Sequence, residues 1–156
     1  MPMPETLRVA DVVPDVPTAG LEESYTYGVG DTDPSPGDCV LVPFGNRVVG
    51  GYVIAVRDVV PNQLGFPESN LKPIQSVVDG LSLPDELLET IRRTAKETLS
   101  PLGAVVRAAL PPGIRSRLKT VYRVVQYAGD VNLTPKEAEA LDKLRERGEV
   151  AESALI

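Results

Sequence analysis

The stretch that decides the fold lies between residues 36 and 56 and reads Pro36-Gly-Asp-Cys-Val-Leu-Val-Pro-Phe-Gly-Asn-Arg-Val-Val-Gly-Gly-Tyr-Val-Ile-Ala-Val56. Two β-rich runs, 39–42 and 48–56, flank the five-residue connection 43–47. That connection holds an aromatic residue, a glycine and a cation, so the sequence predicts a hairpin with a chemically varied tip. Such a tip either plugs the end of a small barrel or contacts a ligand, and both interpretations stay open at this point.

Three further strands are predicted around the hairpin. Residues 6–13 alternate well enough for an opening strand, and 24–27 form a second one. In that second strand Tyr25 and Tyr27 must share a face, which is either a stacking platform for bases or the aromatic lid of a barrel. Residues 71–78 predict an edge strand because Pro73 cannot donate to a ladder. Lys72 lies on it, and the ordinary role of an edge lysine is to prevent edge-to-edge association.

Beyond Gly80 the period of the apolar residues becomes helical. A helix is predicted from Pro84 to about Thr98, with one apolar face made by Leu87, Leu88, Ile91, Ala95 and Leu99. A second helix is predicted after Ser100-Pro101, and the Pro-Pro-Gly run at 111–113 stops it. The first domain is therefore expected to span residues 1–113.

The remaining residues, 114–156, predict the opening of a second domain. A β-rich segment, 119–127, is followed by a turn and by a capping box formed by Thr134 and Glu137. The helix that begins there is expected to end at Arg147, before Gly148. This order is typical of the first part of a winged-helix unit, and the chain is expected to stop inside that domain. The predicted fold class is α+β: a small β-barrel-like domain, a helical pair, and the first part of a winged helix.

Composition excludes several function classes. The 156 residues include no histidine and one cysteine, Cys39, so histidine-dependent triads, the usual zinc sites and disulfide scaffolds are excluded. No metal site and no cofactor is expected. The start has no apolar signal region and no run reaches membrane-spanning length, so a cytoplasmic monomer with no membrane contact is predicted.

Charge is distributed unevenly along the chain. The net charge of -6 argues against bulk electrostatic coating of nucleic acid, yet no acidic residue lies between Glu97 and Asp130. That window is either a solvated basic linker or a surface that contacts phosphates. Its cations are Arg107, Arg115, Arg117, Lys119 and Arg123.

An ordered set of motifs resembles the amino-terminal region of the PriA primosomal replication proteins. Each motif is weak alone, and the set between about Leu7 and Arg115 is specific. The motifs are Ser24-Tyr25-Thr26-Tyr27, Gly37-Asp38-Cys39-Val40-Leu41-Val42-Pro43-Phe44-Gly45, Gly50-Gly51-Tyr52-Val53, Leu71-Lys72-Pro73-Ile74, Ser100-Pro101-Leu102-Gly103 and Ala109-Leu110-Pro111-Pro112-Gly113-Ile114-Arg115.

The resemblance implies a module that captures the free 3′ end of the nascent leading strand at a stalled, branched fork. It implies that Tyr25, Thr26, Tyr27, Gly45 and Lys72 form the 3′-end pocket. Contacts to the DNA backbone are expected from Arg47, Arg115, Arg117 and Lys119. The resemblance also makes single-stranded-DNA-binding protein and other primosome proteins possible partners.

Thr26 departs from the family pattern, which commonly has aspartate at this position. A neutral hydrogen bond contributes about 0.5 to 1.5 kcal/mol, against about 1.5 to 3 kcal/mol for one to a charged group. If the aspartate accepts from the terminal 3′-hydroxyl, discrimination of the end is expected to be weaker here by about 1 kcal/mol, or roughly fivefold.

The sequence also lacks the phosphate-binding motif of the family's helicase core. No Gly-x-x-x-x-Gly-Lys-[Ser/Thr] run and no Gly-Lys pair occurs, so this chain is not expected to hydrolyse ATP or to be an enzyme. The alternative function is a protein-interaction barrel module with no end-specific DNA binding.

Overall fold

The computed structural model describes residues 5–16, 24–111, 114, 121–124 and 132–151. Contacts between Cα atoms divide the chain into two compact units, Met1–Pro111 and Pro112–Ile156.

The first unit is built on a five-stranded antiparallel sheet. Its strands are β1 (Leu7–Pro14), β2 (Tyr25–Gly28), β3 (Asp38–Phe44), β4 (Arg47–Val59) and β5 (Ser76–Ser82), in the order β2-β1-β4-β3-β5. Valine dominates the buried positions, as expected for β-branched residues on a pleated surface. The α+β class is confirmed, and the strands form an open sheet, with β2 and β5 at its edges, rather than a closed barrel.

The hairpin of β3 and β4 is tighter than the sequence predicts. The ladder continues to the pair Phe44↔Arg47, so the turn contains only Gly45 and Asn46. Pro43 is tolerated because it pairs with Val48 at a position where the backbone nitrogen points away from β4. Gly45 has φ 59°, the positive value that the first position of a type II′ turn requires.

An irregular segment, residues 71–75, partly closes the gap between the two sheet edges. On one side it contacts β2: the Gly28 N–H donates to the Lys72 carbonyl, and the Ile74 N–H donates to the Gly28 carbonyl, both at 2.9 Å. On the other side the Gln75 N–H donates to the Leu41 carbonyl of β3, also at 2.9 Å. The predicted strand 71–78 is therefore wrong in its first half. A connection between β2 and β3, interrupted by Pro73, replaces a regular ladder there.

Two helices cover one face of the sheet. They are α1 (Asp85–Thr98) and α2 (Leu102–Ala109), as predicted. Their buried residues Leu88, Ile91, Leu102 and Val106 pack with the sheet residues Val13, Cys39, Tyr52 and Ile54 and with Leu83. Leu99 was predicted to share the apolar face of α1, and that is wrong. It follows the last helical residue with φ 51° and its side chain is 92% exposed.

A second apolar cluster lies on the opposite face of the sheet. One buried aromatic ring, that of Tyr27, belongs to it. Its other buried members are small or β-branched: Ala10, Val12, Val29, Val40, Val42, Val53 and Ile74. This second cluster forms the floor beneath the candidate site.

The second unit contains β6 (Val121–Arg123), α3 (Pro135–Arg147) and β7 (Glu149–Ala151), with β6 and β7 antiparallel. The predicted capping box is confirmed: the Glu137 N–H donates to Thr134 Oγ1, and the Thr134 N–H donates to Glu137 Oε2 at 2.7 Å. Of the predicted strand 119–127, the structure assigns Val121–Arg123 to β6. The assignment of this unit to a winged helix stays a prediction.

Candidate DNA-end site

An open cavity of about 430 Å³ lies at the edge of the first unit. It is bordered by β2, by the tip of the β3–β4 hairpin and by the loop that leads to Lys72. The lining residues are Ser24, Tyr25, Thr26, Tyr27, Pro43, Phe44, Gly45, Phe66, Asn70 and Lys72. The cavity thus brings together all five residues that the resemblance implied for a 3′-end pocket, although they come from three separate segments of the chain.

The cavity is unusually rich in aromatic side chains for this protein. The chain has five tyrosines, two phenylalanines and no tryptophan, and both phenylalanines and two of the tyrosines line this cavity. Tyr25 and Phe44 meet edge to face, with ring centroids 5.3 Å apart and an interplanar angle of 89°. Phe44 therefore fixes the orientation of the Tyr25 ring, as a support in the wall would.

Tyr27 connects β2 to the hairpin tip. Its ring is buried in the second apolar cluster, and its hydroxyl donates to the Pro43 carbonyl at 3.0 Å. Burial, with a smaller contribution from Tyr25, raises the pKa of Tyr27 to about 12, so the hydroxyl keeps its proton and remains a donor at neutral pH. This bond holds two walls of the cavity together where the sheet has no ladder.

The side chain of Thr26 lies on the other face of β2. Thr26 pairs with Asp11 of β1, and its Oγ1 donates to Asp11 Oδ1 at 2.8 Å. Arg57 of β4 completes this cluster, with Nε 2.9 Å from Asp11 Oδ2 and Nη2 3.1 Å from Asp11 Oδ1. We call these three residues the Asp11 cluster. Because neighbouring residues of a strand point to opposite faces, the cluster lies behind the tyrosine rings.

Two opposing effects act on the Asp11 carboxyl. Burial alone would raise its pKa, but the hydrogen bonds from Arg57 and Thr26 and the charge of Arg57 hold that pKa below its ordinary value of 3.8. Asp11 therefore stays ionised at neutral pH, with an acceptor bond at each carboxylate oxygen. Sequence reasoning missed Asp11 and Arg57, because they are 46 residues apart and no local pattern links them.

Thr26 reaches the cavity side of β2 through its main chain. Successive residues of an antiparallel strand alternate between bonding the neighbouring strand and pointing away from it. Gly28 points away from β1, since its amide and carbonyl both bond to the 71–75 segment. Thr26, two residues earlier, directs its N–H and C=O in the same direction, along the edge of β2 that faces the cavity.

Gly45 leaves the hairpin tip open. A Cβ atom placed on it would meet no other atom within 4 Å, so nothing in the described structure occupies the space in front of this residue. A ligand can approach the backbone closely at this point.

One cation lines the cavity and a second lies nearby at the hairpin tip. Lys72 lines it, and Arg47 is exposed at the hairpin tip, and neither has an ion pair with any residue that the structure describes. Lys72 is positioned by the bond between its own carbonyl and the Gly28 amide. The remaining residues predicted to contact the DNA backbone lie outside the described residues; they are Arg115, Arg117 and Lys119.

Sequence reasoning also missed Phe66 and Asn70, which line the cavity from the loop after β4. The signal was present in Gly65-Phe66-Pro67, where a large aromatic residue stands between two turn residues, much as Phe44 stands beside Gly45.

Two further features are absent from the described residues. No group of three or more His, Cys, Asp or Glu side chains in those ranges is arranged to hold a metal ion. No helix in the same part of the chain is long and apolar enough to cross a membrane.

Comparison with known proteins points to one family. A family model described as the 3′DNA-binding domain (3′BD) of PriA matches residues 11–111. The Replication restart protein PriA of Synechocystis sp. is 34% identical over 109 residues, which cover 69% of this chain and 13% of the relative. The chain thus spans a small part of the length of that relative. The matched residues include every residue that lines the cavity.

Proposed function

We propose a function for this chain from the premise that it belongs to the PriA 3′DNA-binding domain family. In this proposal the chain is the DNA-binding part of a replication restart protein. It captures the free 3′ end of the nascent leading strand at a stalled fork, in the cavity between β2, the hairpin tip and Lys72.

The observation that carries the proposal is the concentration of aromatic residues in an open cavity beside a lysine that has no ion pair with any described residue. Of the four rings only Tyr27 is buried in the core, while Tyr25, Phe44 and Phe66 stay partly exposed, so these three are not needed simply to fill the core. Aromatic faces stack on any base without reading its identity, and a cation binds the phosphate that every nucleotide carries. This combination suits a protein that must bind a DNA end of any sequence.

Each side of the cavity has a role in the proposal. The exposed part of Tyr25 walls in or stacks on the terminal base, while Phe44 and Tyr27 hold the wall in place. Lys72 contacts a phosphate as a point charge, and Arg47 extends the positive surface outward. Gly45 lets the sugar or base approach the hairpin backbone.

Thr26 contributes through its main chain in this proposal. A main-chain carbonyl can accept from a terminal 3′-hydroxyl, and a main-chain N–H can donate to it. The side-chain hydroxyl already donates its proton to Asp11, so it retains only acceptor capacity. A main-chain contact does not depend on the side chain, which would explain how threonine can replace the aspartate common in the family.

The proposal is tested by fluorescence anisotropy with forked DNA whose nascent strand ends in a 3′-hydroxyl or in a 3′-phosphate. We expect at least about fivefold tighter binding of the free end, equivalent to about 1 kcal/mol. Blocking the 5′ end instead is the matched control and should leave the affinity unchanged.

Equal affinity for free and blocked 3′ ends would contradict end capture. If no salt-dependent DNA binding is detected at all, and a protein partner is retained in its place, the chain is a protein-interaction module. Contacts with single-stranded-DNA-binding protein and other primosome proteins belong to the same proposal. They can be measured by titrating each protein into the preformed DNA complex.

A further inference from the structure

Phe66 is a large aromatic side chain that is not packed into the core. It is 36% exposed, and it belongs to neither of the two apolar clusters of the first unit. It lines the same cavity as Tyr25 and Lys72 but comes from a different segment, the loop between β4 and residue 71. Neither the motifs of the family resemblance nor the hairpin accounts for its presence.

The loop that carries Phe66 has a defined backbone. Two short 3₁₀ turns, Pro61–Gln63 and Glu68–Asn70, frame it. The Gln63 N–H donates to the Val60 carbonyl at 2.8 Å, and the Asn70 N–H donates to the Pro67 carbonyl at 2.9 Å. These bonds fix the two ends of the loop, so the side chain between them is presented by a folded support.

The residues on either side of Phe66 restrict it further. Gly65 has φ 77°, a value that favours glycine and turns the chain immediately before the ring. Pro67 follows, which limits the backbone of Phe66 to extended conformations. The local sequence therefore restricts the backbone that presents the ring.

We propose that Phe66 is a base-stacking residue of the cavity, supplied by the β4–β5 loop and acting on a base of the bound strand. This inference rests on the proposed function, since it assumes that the cavity binds DNA. It makes the cavity two-sided: Tyr25 and Phe44 form one aromatic wall from β2 and the hairpin, and Phe66 adds a second aromatic surface. A base that contacts both surfaces loses more exposed area than one stacked on a single ring.

The test measures stacking directly, with 2-aminopurine in place of the terminal or the penultimate base of the nascent strand. Wild-type protein should quench this fluorophore at one of the two positions. Phe66→Leu keeps apolar volume but removes the aromatic face, so it should reduce that quenching to what the Tyr25 wall alone produces and bind about 5- to 150-fold more weakly. Phe66→Tyr and Phe66→Trp should retain both.

An abasic nucleotide separates stacking from an indirect effect on the loop. If Phe66 stacks on a base, Phe66→Leu and wild type should bind equally well to a strand that lacks the base at the quenched position. Asn62→Ala is the matched control, because Asn62 is exposed on the same loop but does not line the cavity. It should bind like wild type.

Each failure has its own signature. Wild-type affinity and quenching in Phe66→Leu would overturn the stacking role while end capture by the other residues still holds. A weaker Phe66→Leu whose defect persists on the abasic strand would also overturn it, since the loss would then come from the loop. Conversely, a wild type that binds free and blocked ends equally, but needs Phe66 for quenching, would contradict end capture and support stacking. Absence of DNA binding by wild type would overturn both.

Discussion

The two faces of strand β2 differ in how much bonding capacity they have left. On the front face, Tyr25 lines an open cavity, and Lys72 nearby has no ion pair within the described part of the chain. On the back face, Thr26, Asp11 and Arg57 bond to each other, and both oxygens of Asp11 accept hydrogen bonds. A ligand gains most from groups that are not already satisfied. The front face is therefore suited to binding, and the back face to holding β2 in register.

The largest effect should come from removing the binding groups of the front face. The double substitution Tyr25→Ala and Lys72→Ala should weaken binding of a strand with a free 3′ end by roughly 50-fold or more, since one stacked base contributes about 1 to 3 kcal/mol and a phosphate contact adds to it. Anisotropy titration measures this loss. Tyr25→Ala should also lower the temperature of unfolding, because the ring packs against Phe44 and the second apolar cluster, so affinities are compared at a temperature where the variant is folded.

Lys96→Ala gives a control for the loss of positive charge, because Lys96 lies on α1 and does not line the cavity. The salt dependence separates a phosphate contact from a general charge effect. Lys72→Ala should make the slope of log K against log salt shallower by about 0.7, the value for one phosphate contact on a single strand. An unchanged slope would exclude Lys72 from the phosphates.

On the back face, the expected loss is in stability rather than in affinity. Asp11→Ala removes the acceptor shared by Thr26 and Arg57, and the side chain of Asp11 is only 19% exposed. Since hydrogen bonds to a charged group contribute about 1.5 to 3 kcal/mol, the free energy of unfolding should fall by an amount of that order. Urea denaturation measures it. A large loss of DNA affinity in a variant that is still folded would show that the back face also takes part in binding.

Regions whose structure depends on interactions between residues close in sequence were predicted well, and regions that depend on distant strands were not. The helices α1, α2 and α3 were predictable because caps, prolines and apolar spacing act within a few residues. The first part of 71–78 was mispredicted because its backbone partners, Gly28 and Leu41, lie on two distant strands. Leu99 fits the helical period, but helix α1 ends one residue earlier. Among the cavity residues, the resemblance supplied those in its motifs and missed Phe66 and Asn70, which lie in a loop between motifs.

Thr26→Val sharpens the boundary between the two faces. Valine keeps the shape of threonine but removes the hydroxyl that donates to Asp11. We expect the free energy of unfolding to fall by about 1.5 kcal/mol, the lower end for a hydrogen bond to a charged group, because Arg57 still pairs with Asp11. If the main chain of Thr26 contacts the DNA, the preference for a free 3′ end should be retained in anisotropy titrations. Loss of that preference would assign the contact to the hydroxyl instead.

The smallest effect is a dependence of stability on pH that originates in the Asp11 cluster. In the folded protein the pKa of Asp11 is lower than its ordinary value of 3.8, so the unfolded chain binds a proton more readily than the folded one. The stabilisation by the ionised carboxylate is therefore fully present above that ordinary value, and it is lost as the pH falls through the lower pKa of the folded state.

Asp11→Asn keeps the size of the side chain but does not titrate. The difference in urea midpoint between wild type and Asp11→Asn should thus be largest near neutral pH and shrink as the pH falls below 3.8. Other carboxyl groups titrate equally in both proteins, so their contributions cancel in this difference. A difference that stays constant down to low pH would mean that charge on Asp11 does not hold β2 in place, and that the two faces of the strand differ less than their hydrogen bonds indicate.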